Sequence, residues 1–496
     1  MRRPVTRSCL IALTALATAG ALFPGAAQAA GAAQGGGART AAVTKWTKIS
    51  TDAGLGIASA GLYRTADGML HVAWARQDGP SSFSLNYSTV GPNATLAGTG
   101  TIVKSWAAVS FYPRLVAGPS GGIRVVFTGG NGVSGSPYNL GAMYSATATS
   151  AGTTWKLVKG SMSHSTFVPA TNTSATTQSS GTPVASWPGG SGVAFHVGTD
   201  PNAPATAPDG TVAVASGAGP VVGTALAREN DGSVWVAWFT ESFASDQGYW
   251  VDKITPTQAA KTEAPGSGGP SLANNHPLQS VAFAAGAKGG GYLAYCVPTA
   301  SIPCAHIALW KVGAATATTV PGSTTQHAAH VAIAAAPGGH LWVLWYDTSQ
   351  NKIHVIRSNA AVTKFGPGQT IAAPPSTSVL DGLQAEGSQG PLDVVALVLQ
   401  TTAGSTPSYW DIQLLPKLTL AGSPATVAPG KVVTFTVTDV GDPVAGATVT
   451  FLGKNATTNS SGVATVTVPT GTTAGSYQAT AAKNGYTSAT FTEKVS

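Results

Sequence analysis

The chain has 496 residues, a formal net charge of +7 and only 9% charged residues. Three of its positive charges, Arg2, Arg3 and Arg7, stand at the start, and no basic cluster follows, which argues against a nucleic-acid partner. The length exceeds one ordinary core and calls for at least two domains.

Residues 1–29 read as a secretion signal. A basic start leads into an apolar run from Cys9 to Phe23, and Ala27-Gln28-Ala29 fits the small-x-small rule for cleavage after Ala29. The run is too short for an ordinary membrane helix, and no later stretch reaches spanning length, so a secreted protein without membrane insertion is expected. Residues 30–40 read as a flexible linker. Beyond the signal only Cys296 and Cys304 remain. In an oxidising compartment two cysteines this close are expected to pair. They are too few for a metal site, and no metal or cofactor is expected.

From 41 to 416 one pattern recurs: an apolar strand, a Gly-containing turn, and a second strand ending on a large apolar residue. It reads GLYRTADGMLHVAW (61–74), RLVAGPSGGIRVVF (114–127), TALARENDGSVWVAW (224–238), VAFAAGAKGGGYLAY (281–295) and VAIAAAPGGHLWVLW (331–345). Weaker copies lie at 176–187 and 383–397. Their last residues, Trp74, Phe127, Trp187, Trp238, Tyr295, Trp345 and Leu397, fall about fifty residues apart. Each copy alternates with period two around a Gly turn, as a hairpin does, and further strand-like runs follow. Four-stranded units repeated in this way describe an all-β, seven-bladed β-propeller, with six blades as the alternative.

The phrase A-A-V-T-K-W (41–46) recurs as A-A-V-T-K-F (360–365). Its distance from the next hairpin assigns both copies to a fourth-strand position. The last unit stops after a third strand, SYWDIQLLP (408–416). An N-terminal strand at roughly 42–50 is therefore expected to complete it, which removes two exposed sheet edges.

From Lys417 short Thr/Val-alternating strands separated by Gly, Pro and Asn turns describe a small β-sandwich over 417–496. PVAGATVTF and SSGVATVTVP in this stretch resemble bacterial immunoglobulin-like modules. That resemblance implies a spacer or an adhesive attachment domain.

The stretch 330–371 resembles the repeat of sialidase-like (BNR-repeat) propellers, whose Asp-box, Ser-x-Asp-x-Gly-x-Thr-Trp, lies between the third and fourth strands. Gly152, Thr154 and Trp155 match its second half, while Ala148 and Ser150 stand at its Ser and Asp positions. The resemblance implies three arginines holding a carboxylate, a Tyr–Glu pair and an Asp acid, all on one face. Antiparallel geometry puts the loops between sheets on that face, together with the second-to-third-strand loops. Arg39 lies in the linker, and Arg64, Arg124, Arg228 and Arg357 fall on the opposite side. Arg76 and Arg114 remain, one short of a triad, and no Phe/Tyr-Arg-Ile-Pro motif occurs.

Candidate catalytic acids on the loop face are Asp52, Glu241 and Asp347, with Asp78, Asp246 and Asp381 also assigned there. Two of them at the right separation would serve as glycosidase acid and base; otherwise they are solvated loop charges. His327 and His330 fall in a between-sheet loop, as metal ligands or as ordinary hydrogen-bonding groups. Tyr112, Tyr249, Trp250 and Tyr346, with Tyr409, are candidates to lie against sugar rings; the alternative is that they pack between sheets. The expected function is binding of a glycan or cell-envelope polymer by a monomer, without catalysis. The alternative is a glycoside hydrolase or lyase acting on extracellular polysaccharide.

Overall fold

The computed structural model describes residues 45–50 and 59–496, apart from 110–111, 137, 140, 160–172, 190–191, 199–209, 214–220, 241–246, 255–260, 269–280, 287–288, 300–303, 325–326, 376, 378 and 400–406. The expected signal segment and linker lie outside the described residues.

The first sheet runs in chain order through Gly61–Arg64, Leu70–Gly79, Ser82–Gly91 and Thr95–Trp106, each strand antiparallel to the last. Five more sheets follow the same path. Their innermost strands are Arg114–Ala117, Ser174–Thr177, Val221–Arg228, Ala282–Ala285 and Ala328–Ala335. A seventh begins with Val379–Glu386. Each of these first strands packs against the next, and that of the seventh sheet packs against that of the first. The ring of sheets is a β-propeller. The inner strands approach closely: a Cβ on Gly61 would meet Leu115 N at 2.8 Å.

Stacking explains the composition of the hairpins. A sheet covered on both faces buries every side chain, so its strands read as apolar runs and not as clean alternation. All seven residues of Leu341–Asp347 are buried. Trp74, Phe127, Trp187, Trp238, Tyr295, Trp345 and Leu397 all sit on second strands and are buried between sheets.

The seventh sheet takes its outer strand from the start of the chain. Thr47–Lys48 pairs with Ser408–Leu414, Thr47 opposite Asp411 and Lys48 opposite Trp410. Ile49 N donates to Tyr409 O at 2.9 Å, and Trp46 Nε1 donates to Ala372 O of the sixth sheet at 2.9 Å. In the second sheet, the turn at Gly152 (φ +63°) lets Trp155 Nε1 donate back to Gly152 O at 3.1 Å. The second phrase departs from its expected place. Phe365 makes only an isolated bridge to Ser358, and the outer strand of the sixth sheet is Gln369–Ala372. Cys296 and Cys304 form a disulfide.

Beyond Pro416 two sheets pack face to face around Val433, Phe435, Val449, Phe451 and Ala481. Strand Val432–Asp439 alternates cleanly, with Val433, Phe435 and Val437 inward. One face of this sheet meets the core and the other meets water. Among the described residues no helix is long and apolar enough to cross a membrane.

Candidate functional site

Two buried arginines mark the two ends of the ring's inner wall. Arg64 closes the first strand of the first sheet, on the side of the first-to-second-strand turns. Its Nε lies 3.1 Å from Glu386 Oε2, a second nitrogen pairs with Asp393, and Nη1 donates to Gly68 O at 2.6 Å. Gln413 Nε2 donates to Asp393 Oδ1 at 3.0 Å, completing the cluster. Asp411 is buried nearby, and neither of its oxygens accepts a hydrogen bond. Burial pushes its carboxyl up to about 7, against the pull of Arg64.

Arg114 opens the first strand of the second sheet, on the opposite, loop side. Its Nη1 donates to Ser59 Oγ at 2.8 Å and to Pro113 O at 2.9 Å. Its Nε and its other terminal nitrogen find no acceptor. With the side chain out of water, burial pulls the guanidinium down to about 9. Gln384 of the seventh sheet shares Ser59 through Nε2 at 3.0 Å and also grips Ala60: Ala60 N donates to Gln384 Oε1 at 2.9 Å, and Gln384 Nε2 donates to Ala60 O.

Around Arg114 stand two phenols. Tyr112 and Tyr409 are both buried, and burial raises their pKa, helped by the charge of Asp381. The Tyr409 hydroxyl has no hydrogen-bond partner. Asp381 sits at a bulge in Val379–Glu386, where the register shifts between Leu380 and Gly382, and it is half-buried. The inner strand of the neighbouring sixth sheet contributes His330, at φ +50° in a second bulge. Its ring hydrogen-bonds the Leu380 backbone, and burial lowers it to about 4. The loop face thus gathers one arginine, two tyrosines, an acid and a neutral histidine from the second, seventh and sixth sheets.

Of the expected site residues, Tyr112, Arg114 and His330 belong to this arc. Tyr346 lies beside it, its ring 6.3 Å from that of His330, but it is buried and its hydroxyl donates to Asn351 Oδ1 at 2.8 Å. Tyr249 is corrected to a packing role: its ring is buried 4.9 Å from Phe239 and 5.4 Å from Tyr295. Trp250 is half-buried with Lys261 Nζ 4.3 Å over its ring, so a cation already occupies that face. Arg76 pairs with Asp78 at 2.5 Å near the rim. His327 is exposed, and its carbonyl accepts from Thr348 N at 3.0 Å. Asp347 is corrected from candidate acid to turn cap: it is fully buried and accepts from Ser349 N, Ser349 Oγ and Gln350 N at 2.9, 2.7 and 3.1 Å. Asp52 and Glu241 lie outside the described residues. Ser59 and Gln384, which hold Arg114 in place, carry no motif. Their only sequence signal is a polar residue within one apolar inner strand, Val379–Glu386, and another just before the next, Gly61–Arg64.

No protein-family model and no curated protein sequence matches the chain. Solved structures do match. A protein of unknown function from Dyadobacter fermentans aligns at 11% identity and TM-score 0.44, over 74% of this chain and 97% of that one. An α-L-arabinanase from Penicillium chrysogenum, complexed with arabinobiose, aligns at 11% identity and TM-score 0.38, over 75% and 97%. The Aleuria aurantia lectin, a six-bladed propeller that recognises fucose, aligns at 12% identity and TM-score 0.36, over 60% and 94%.

Proposed function

We propose that this chain is a secreted propeller protein that binds a glycan or cell-envelope polymer at the loop face around Arg114, without turning it over. One observation carries the reading. Arg114 is tied by one nitrogen to Ser59 and Pro113, yet keeps two buried nitrogens without acceptors, beside a Tyr409 hydroxyl that is also unmatched. A buried donor left unmet costs about 1–3 kcal/mol, so a ligand oxygen that reaches it recovers that free energy. Guanidinium and phenol groups suit the oxygens of a sugar, and Asp381, half-buried, is the least buried member of the arc. The sandwich serves as spacer or attachment module, in line with its immunoglobulin-like sequence pattern.

Binding without turnover is favoured by the acids. Glycoside hydrolysis needs two carboxylates about 5–9.5 Å apart. Among the described residues, Asp381 is the one carboxylate whose charge reaches both phenols of the cluster. The company of Arg114, the two tyrosines and Asp381 keeps a sialidase-like hydrolase or lyase as the second reading. Both are tested by exposing the protein to a panel of soluble acidic and neutral polysaccharides while assaying for released reducing ends or unsaturated products. The expected result is retention of at least one polymer, weakened about tenfold or more by Arg114→Met, with no product. Release of product selects the enzyme. Retention nowhere, or retention indifferent to Arg114, removes the proposal.

A further inference from the structure

The way the ring closes decides where the chain enters and leaves it. In each sheet the first and third strands run from the loop face to the turn face, because the second is antiparallel to both. The third strand of the seventh sheet, Ser408–Leu414, therefore ends on the turn face. Had the chain supplied its own fourth strand, it would have left on the loop face, beside Arg114. The N-terminal strand fills that position instead. Being antiparallel to Ser408–Leu414, Thr47–Lys48 starts on the turn face. Both chain connections thus stand on the side opposite the candidate site.

The sandwich does not hang freely from this exit. Arg357 ends the third strand of the sixth sheet, also on the turn face. Its Nε lies 3.3 and 3.1 Å from the two carboxylate oxygens of Asp439, and its Nη2 lies 3.1 Å from Asp439 Oδ2. Arg357 and Asp439 are both buried by the contact, with the guanidinium 4.8 Å over the Trp342 ring. Ala360 N donates to Asp442 Oδ2 at 2.6 Å. The His340 ring bonds Ser358 O through Nδ1 at 2.7 Å, and its Nε2 lies 3.8 Å from both Asp439 and Asp442. The Val440 side chain closes on the Gly366 backbone too: a Cβ on Gly366 would meet Val440 Cγ2 at 3.0 Å. A tether that only linked two modules would not bury an ion pair, because an isolated charge taken out of water is strongly unfavourable.

We infer that the sandwich is a docked pedestal, which holds the Arg114 face pointing away from whatever anchors the sandwich or the N-terminal segment. The ligand side of this inference rests on the binding function proposed above; the docking does not. Hydrogen–deuterium exchange on the full chain tests the docking without any ligand. The Ala360 amide, which donates to Asp442, is expected to be protected, and Asp439→Asn or the milder, more accessible Asp442→Asn is expected to raise its exchange about tenfold or more, with core strands of both modules unchanged. Fast exchange there in the unaltered chain, or no response to either variant, overturns the docking. Orientation is tested by capturing the protein through a C-terminal tag and adding the polysaccharides used above. Binding equal to that in free solution supports an outward face, and binding in solution that is lost on capture overturns it. Absence of binding in both arms rejects the proposed ligand function and leaves the exchange result to judge the docking.

Discussion

Arg64 and Arg114 are both buried and both lie on inner strands of neighbouring sheets, yet they end in opposite electrostatic situations. Arg64 has Glu386 and Asp393; Arg114 has a hydroxyl and a carbonyl. A buried cation matched by carboxylates is a structural clamp between the first and seventh sheets. A buried cation matched only by neutral groups keeps unspent hydrogen-bonding capacity, which is the physical mark of a site that awaits a partner. The comparison separates two points on the inner wall, one fastened by ions and the other left polar and unmatched.

The largest effect is expected at the clamp. Arg64→Met strands Glu386 and Asp393 in a dry junction and should lower stability by about 3–5 kcal/mol in urea unfolding. A loss below about 1 kcal/mol would mean that Arg64 is no more a clamp than Arg114. Next in size is the pH response of Asp411, beside the same clamp and opposite the closing strand. Its carboxyl is held near 7 when folded and returns to about 3.8 when unfolded. The folded state therefore keeps a proton that the unfolded state has lost, so this group's contribution weakens as pH rises from about 4 to about 7 and is then level. Asp411→Asn should abolish that slope and raise the thermal midpoint at pH 8; an unchanged profile would place Asp411 in contact with water.

Arg114→Met should change stability by no more than about 1 kcal/mol, and toward gain, because it exchanges an incompletely matched buried charge for an apolar chain. A destabilisation matching that of Arg64→Met would turn Arg114 into a second clamp. The smallest effect belongs to Tyr409→Phe. Removing a hydroxyl with no partner should leave the unfolding midpoint within about 0.5 kcal/mol of the original while weakening polymer retention severalfold. Normal retention would move the ligand away from Tyr409.

Much of the fold is legible in the chain. The apolar hairpins around Gly turns and their fifty-residue spacing locate second strands, and Trp74, Trp238 and Trp345 fall where buried anchors belong. The phrase at 360–365 shows the limit of such reading. Its distance from Leu397 assigns it to an outer strand, but it forms the turn that receives Asp442 of the sandwich. Sequence spacing cannot register a partner 82 residues away. Tyr249 and Tyr346 show the same limit at the site. Their loop-face positions were readable, but whether each ring faces solvent depends on the neighbouring sheet, and both rings are buried.

What is local and periodic is legible in the chain: all-β structure, strand positions, a change of texture at Lys417 and the side of each sheet on which a residue falls. Backbone geometry repeats every two residues, so pattern alone reveals these. Which arginine is satisfied depends on contacts made across the closed ring. Arg64 meets Glu386 across 322 positions of chain, and Ala60 meets Gln384 across 324. Those encounters follow from closing the ring with the N-terminal strand, and the closure itself turns both chain connections toward one face and leaves Arg114 on the other.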